Sequence, residues 1–305
     1  MRYLDPKNDL TFKKIFGEHP DILIDLLNNL LPFTQEKANK ITEISYLPSD
    51  LVPINPISKY SIVDVRCLDV TGRQFVIEMQ MFWTDSFKSR VLFNSSKAYV
   101  RQLGSGEQYK TLMPVYSVNL VNETFQKDTE QYYHYYQIVN QENSEDIIKG
   151  FSFLFIELPK IHEDNLPKDI NQARWLRFFT EIQNLTTSID EDLKNNPSIR
   201  HALELLEESG FTTEELDQYE RNWDAIRVDR ELLDDALSKG EIIGIEKSKK
   251  LIVEAQRKQE EAQRKQIEAQ RNSIKTLLKY GIKPEEIATE LNLPLDEVNR
   301  IIKTL

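Results

Sequence analysis

Apolar residues first recur at helical spacing. Leu10, Phe12, Ile15 and Phe16, then Ile22, Leu23, Leu26, Leu27, Leu30 and Leu31, form a helix-like series with a break over Gly17–Pro20. Asp9 is placed to cap it and Pro32 to end it. Residues 41–47 read as a strand, and the stretch 48–58, with Pro48, Pro53 and Pro56, reads as a loop. Residues 60–82 then read as a β-hairpin, two runs rich in β-branched residues flanking Val70-Thr71-Gly72. A helix over 85–103, capped by Asp85 or Ser86, turns Phe87, Val91 and Ala98 inward, and residues 104–108 break it. Residues 113–121 and 151–158 are apolar runs of buried-strand length, with the polar, tyrosine-rich stretch 131–141 between them. Helix, strand, hairpin, helix, strand, strand predicts an α/β core of mixed sheet flanked by helices.

From about residue 168 the strand signals stop, and an all-helical C-terminal region follows. Trp175–Phe179, His201–Leu206 and Leu216–Arg230 all carry helical patterns. Residues 254–274 repeat with a strict period of seven around Ala255, Ala262 and Ala269. The companion core position is polar Gln or Ser, so a solvated stalk competes with a coiled-coil seam. Ile287-Ala288, Leu291-Asn292-Leu293, Val298 and Ile301-Ile302 give compact helix–turn–helix spacing. The second helix of that unit opens Pro294-Leu-Asp-Glu, which suits phosphates poorly, so protein contact or end-capping is favoured over DNA reading. The expected division is a core over 1–165, an acidic helical region over 166–240, a charged heptad-repeat helix over 241–280 and a helix–turn–helix-like unit over 281–305.

Charge changes this picture locally. The net charge of −11 argues against nucleic-acid binding by the chain as a whole. Residues 161–240 alone carry nine basic against nineteen acidic groups, a net of −10, whereas residues 1–160 are near balance at −3. The first part therefore has room for a basic groove. One cysteine, Cys67, excludes an internal disulfide, reads as core packing and suits a reducing cytoplasm. No run approaches the roughly 20 apolar residues of a membrane span, and the first residues lack a signal-peptide core. His19, His134, His162 and His201 are scattered, and none makes a metal-ligand spacing.

The candidate chemistry lies in the hairpin. Asp64 sits within Ile62-Val63-Asp64-Val65, and Glu78 within Val76-Ile77-Glu78-Met79. Carboxylates inside such runs are rare unless paired or bound to a metal. Strand alternation puts Glu78 and Gln80 on one face. A three-residue loop Val70–Gly72 would set Asp69 opposite Arg73, and hence Asp64 opposite Glu78. A two-residue turn would put Asp64 opposite Met79 instead. Two facing carboxylates need a shared proton or a cation, and a hard divalent ion takes such oxygen ligands well.

Asp64 with Glu78-Met79-Gln80, on a hairpin after an N-terminal helix, resembles the PD-(D/E)XK nuclease superfamily. More closely, the chain resembles the Rpn family of recombination-promoting nucleases, also described as transposases. The matching pieces are Asn8-Asp-Leu-Thr-Phe-Lys-Lys-Ile-Phe16, Ile77-Glu-Met-Gln80, Arg90, Gln102–Tyr109 and the Pro114-Val-Tyr-Ser-Val-Asn119 strand. They cover roughly residues 5–160. The superfamily's last motif residue is usually Lys; here it is Gln80, as in many members of the Rpn family. The resemblance implies a restriction-endonuclease-like core and a metal-dependent DNA endonuclease acting in recombination or element mobility. It implies Mg²⁺ or Mn²⁺ held by Asp64, Glu78 and the backbone carbonyl of Met79, with Gln80 orienting water or phosphate. Asp9 or Glu18 would add a carboxylate, although for Asp9 helix capping is the stronger reading.

Lys13, Lys14, Arg90, Lys97 and Arg101 are candidate DNA-phosphate contacts. Pairing with an acidic neighbour competes for Arg90, and a solvated helix face competes for Lys97 and Arg101. A homodimer would let one site per chain cut both strands. The alternative is a non-catalytic nuclease-fold protein that binds nucleic acid or a partner through its helical tail.

Overall fold

The computed structural model describes residues 2–51, 61–183 and 189–304. Most of the loop expected over 48–58 lies outside the described residues, as does Tyr60. The chain divides into two compact units, Met1–Arg230 and Glu231–Leu305.

The first unit begins with α1 (Asp9–Glu18) and α2 (Pro20–Leu30). The joint falls at His19 because Pro20 lacks an N–H and can only start a helix. Asn8, not Asp9, caps α1: its side chain accepts a hydrogen bond from the Leu10 N–H at 3.1 Å. Asn8 is fully buried and also donates to the Tyr219 carbonyl, so the amide does two jobs that a carboxylate could not. Asp9 is left in the first turn, paired with Lys13 at 2.7 Å.

Strands β1 (Ile44–Tyr46), β2 (Asp50–Leu51), β3 (Ser61–Ile62), β4 (Val65–Asp69) and β5 (Gln74–Gln80) follow, then helix α3 (Phe87–Val100). β6 (Val115–Val121), β7 (Tyr133–Val139) and β8 (Ile147–Glu157) complete the strands. A six-stranded sheet has the order β1-β4-β5-β6-β8-β7, and β2 pairs with β3 separately. The β5–β6 and β6–β8 pairs are parallel and the other pairs of the large sheet antiparallel. The tyrosine-rich stretch 131–141, which carried no strand signal, contains β7. Among its residues only His134 is buried, so hydrophobic alternation is absent from this edge strand.

The two sheet faces are covered differently. Phe75 and Ile77 of β5 pack with Val118, Leu120, Leu154 and Ile156 beneath α1 and α2. Val76 faces the other way, with Val63, Val115 and Ala98 of α3. Cys67 lies in the first of these clusters, and burial pushes its thiol up to about 12, so it stays protonated and inert.

Helices α4 (Ile170–Glu181), α5 (Glu191–Lys194), α6 (Pro197–Leu205) and the start of α7 (Thr213–Lys279) share the core of α1 and α2. Trp175, Phe178, Phe179, Leu203 and Tyr219 are buried in it. Residues 166–230 thus pack into the same core as the sheet and the first two helices, where a separate helical region had been expected from 166. Lys7, paired with Asp5 at 3.2 Å, fastens this arrangement by donating to the Phe179 carbonyl at 3.0 Å.

In the second unit the heptad-repeat residues lie within α7 and are solvent-exposed except at the end of the repeat, where Gln270 is half-buried and Ile274 buried. Its last turns pack with α8 (Pro284–Glu290) and α9 (Leu295–Ile302) around Ile274, Ile287, Ala288 and Val298. Gly281 and Asn292 take left-handed conformations, φ 79° and 50°, that let the chain reverse between these helices.

Candidate active site

The hairpin register follows from its turn. Asp69 N–H donates to the Arg73 carbonyl at 3.0 Å, closing the three-residue loop Val70–Gly72. Gly72 supplies the left-handed residue at φ 86°. The Asp69 carboxylate accepts from the backbone of Thr71 and Arg73 and pairs with the Arg73 side chain at 2.6 Å. The ladder runs Leu68↔Gln74, Cys67↔Phe75, Arg66↔Val76 and Val65↔Ile77. The paired ladder ends at Val65↔Ile77; one further step at the same register would set Asp64 against Glu78. The chain bends at Asp64, just ahead of β4, and its Oδ2 accepts the Met79 N–H at 2.7 Å.

Helix α3 supplies the far side. Its Asn94, 1% exposed, donates from Nδ2 to Glu78 Oε1 at 3.1 Å. Arg90, one turn earlier, reaches Glu78 Oε2 at 3.8 Å and donates to Gln80 Oε1. Gln80 in turn donates to the Phe82 carbonyl at 2.6 Å. Asn94 carried no motif; its spacing of four from Arg90 was the available signal. Its Oδ1 is buried and has no hydrogen-bond partner among the described residues.

Glu78 is buried and Asp64 half-buried. Burial pushes Asp64 up to about 7, the Met79 N–H opposes that, and the charges of Glu78 and Asp9 add to it. Glu78 is also raised, by burial, against the pull of Asn94 and Arg90. Asp9 and Lys13 thus act on Asp64 from the start of α1, whereas Glu18, at the other end of that helix, acts on Tyr46. Two raised, facing carboxyls beside an orphaned amide oxygen form an all-oxygen donor set, which fits a hard divalent cation.

A family model for PD-(D/E)XK nuclease family transposases matches residues 6–236. The chain belongs to this family. No curated protein and no solved structure matches it. Membership supports a nuclease or transposase-like function, and PD-(D/E)XK nucleases generally use divalent metals. The match extends past α6 into α7, in keeping with a core that needs those helices.

The other basic candidates of this PD-(D/E)XK chain are spread out. Lys14 pairs with Glu215 at 2.9 Å and lies over the Phe211 ring. Lys97 donates to the Leu51 carbonyl and Ser61 Oγ, and Arg101 to the Asp50 carbonyl at 3.4 Å, so Lys97 holds β2 and β3 and Arg101 holds β2. Arg90 stands at the Glu78 carboxylate. Among the described residues, no helix is long and apolar enough to cross a membrane.

A pH prediction arises from Asp64. Its folded-state value lies above its unfolded one, so the unfolded chain loses the proton first. Stability of the metal-free protein therefore falls as pH rises from about 4 to about 7 through this group. Asp64→Asn cannot ionise and is expected to have the higher melting temperature at pH 8 in chelator, with the gap closing toward pH 4. Equal melting curves across that range would contradict the burial of this charge.

Proposed function

We propose that the protein is a divalent-metal-dependent DNA endonuclease whose site is Asp64, Glu78, Gln80 and Arg90, positioned by Asn94. The observation that carries this reading is the closeness of two desolvated carboxyls at the end of β5: Asp64, which accepts the N–H of Met79 next to Glu78, and Glu78, whose charge acts on it. Asp64 and Glu78 would hold Mg²⁺ or Mn²⁺, with the Met79 carbonyl as a further ligand and Asp9 as the nearest additional carboxylate. When bound, such an ion supplies positive charge to the phosphodiester and acidifies the attacking water.

The protein's own groups do the rest. The Met79 N–H fixes one oxygen of Asp64, and Asn94 fixes one of Glu78, so each carboxylate keeps another oxygen for a ligand. Gln80 brings no charge, but its Oε1 holds the Arg90 guanidinium. Arg90 thereby supplies from α3 the cation that a motif lysine would supply from the strand, and offers it to a phosphate oxygen.

Two substitutions separate these roles. Arg90→Ala should lower cleavage by roughly 10–100-fold while leaving metal binding largely intact. Gln80→Lys should also lower it, because the new ammonium would repel Arg90. A Gln80→Lys variant more active than the parent would show that Arg90 does not fill the lysine's role. The reading as a whole is tested with purified protein, supercoiled plasmid and Mg²⁺. Nicking by wild type and none by Asp64→Ala supports it. No nicking by wild type, or equal nicking by both, favours a non-catalytic nuclease-fold protein.

A further inference from the structure

On the surface of the first unit, His19 and Asp21 meet His201, some 180 positions further along the chain. His19 is the joint between α1 and α2, Asp21 lies in the first turn of α2, and His201 lies on α6. One ligand atom from each falls within 4.8 Å of the others. His201 Nδ1 is 2.9 Å from Asp21 Oδ2, and the His19 and His201 rings meet edge to face with centroids 5.0 Å apart. Histidine spacing along the sequence could not show this, because α2 and α6 come together only through the core under Ile22, Leu26, Ile199 and Leu203.

We propose that His19, Asp21 and His201 form a second metal site, selective for zinc-like transition ions over Mg²⁺. Two imidazoles and one carboxylate are a borderline-soft set, unlike the oxygen donors around Asp64 and Glu78. His19 occupies the N-cap position of α2 without its side chain capping the helix, so its imidazole is not committed there. Ligand atoms bound to one tetrahedral ion stand roughly 3.3–3.5 Å apart, from metal–ligand distances of about 2.0–2.2 Å. The present spread of up to 4.8 Å closes by small side-chain rotations, since all three groups are half-buried or exposed. Three protein ligands leave a fourth position for water or for a group from another molecule. A bound ion would tie the α1–α2 joint to α6, and α1 carries Asp9 at its other end.

The test uses the full chain with Asp64→Ala and Glu78→Ala, which removes the carboxylate pair as a competing site. Titration with Co²⁺, followed by its visible absorption, should show one equivalent bound in a four- or five-coordinate environment, displaced by Zn²⁺ and not by Mg²⁺. Adding His19→Gln or His201→Ala should weaken uptake by at least the roughly 10–100-fold that loss of an outer-shell partner costs. His19→Gln removes no helix-capping bond, so its circular dichroism should match the parent and its result stands if His201→Ala misfolds. Absence of cobalt uptake, or uptake unchanged by His19→Gln, overturns the proposal. Neither outcome bears on plasmid nicking by the wild type, so the two sites are judged separately.

Discussion

Glu78→Ala is expected to reduce Mg²⁺-dependent plasmid nicking by at least about 10³-fold, which is roughly 4 kcal/mol of transition-state stabilisation. The variant loses one of two carboxylates and with it the charge that pairs with a divalent ion. Asp64 alone offers a divalent ion a single negative charge. Folding should survive. The Glu78 carboxyl is 6% exposed and desolvated, so its removal relieves an unfavourable buried charge in the metal-free protein. The remaining cost is Asn94 Nδ2 left without its partner, about 1–3 kcal/mol. Lost cleavage with a melting temperature within a few degrees of the parent would mark a site residue. Lost cleavage with a collapsed melting curve would mark a structural one.

Trp175→Ala is expected to destabilise the fold by about 3–5 kcal/mol, more than any of the site substitutions. The indole is fully buried, lies 5.9 Å from the Phe16 ring and 5.4 Å from Phe178, and donates to Asp25 Oδ2 at 2.8 Å. The substitution opens a cavity between α1, α2 and α4 and removes a partner of Asp25. At about 2–4 °C per kcal/mol for a domain of this size, the melting temperature should fall by at least roughly 6 °C. A fall of under about 2 °C would mean that α4 packs as a separable element and not as part of the core.

The hairpin that carries the candidate site was more legible in the sequence than the boundaries of its domain. Counting back from Gly72 sufficed to give the register of the hairpin as far as Val65↔Ile77, because that register is set by the turn and strands alternate strictly. What counting could not supply was the contribution of other elements. Asn94 comes from a helix whose rotation is fixed by Phe87, Val91 and Ala98 packing on the sheet. The capping role went to Asn8 because its buried amide also serves Tyr219, a residue 211 positions away. Strand β7 was invisible because it pairs through its backbone at an edge while most of its side chains face water. The break expected at residue 165 failed for a related reason. Helices α4 and α6 carry ordinary amphipathic patterns, and no pattern within a helix says which face of which sheet layer it will cover.

The decisive measurement is Mg²⁺ binding, since Asp64 and Glu78 are proposed as one cation site and the His19–His201 group should have no affinity for Mg²⁺. Isothermal titration of Mg²⁺ into the metal-free wild type, Asp64→Ala and Glu78→Ala should show saturable binding in the wild type. Binding should weaken by about tenfold or more in each variant. Mg²⁺ binding of equal strength in all three proteins would contradict the proposed site.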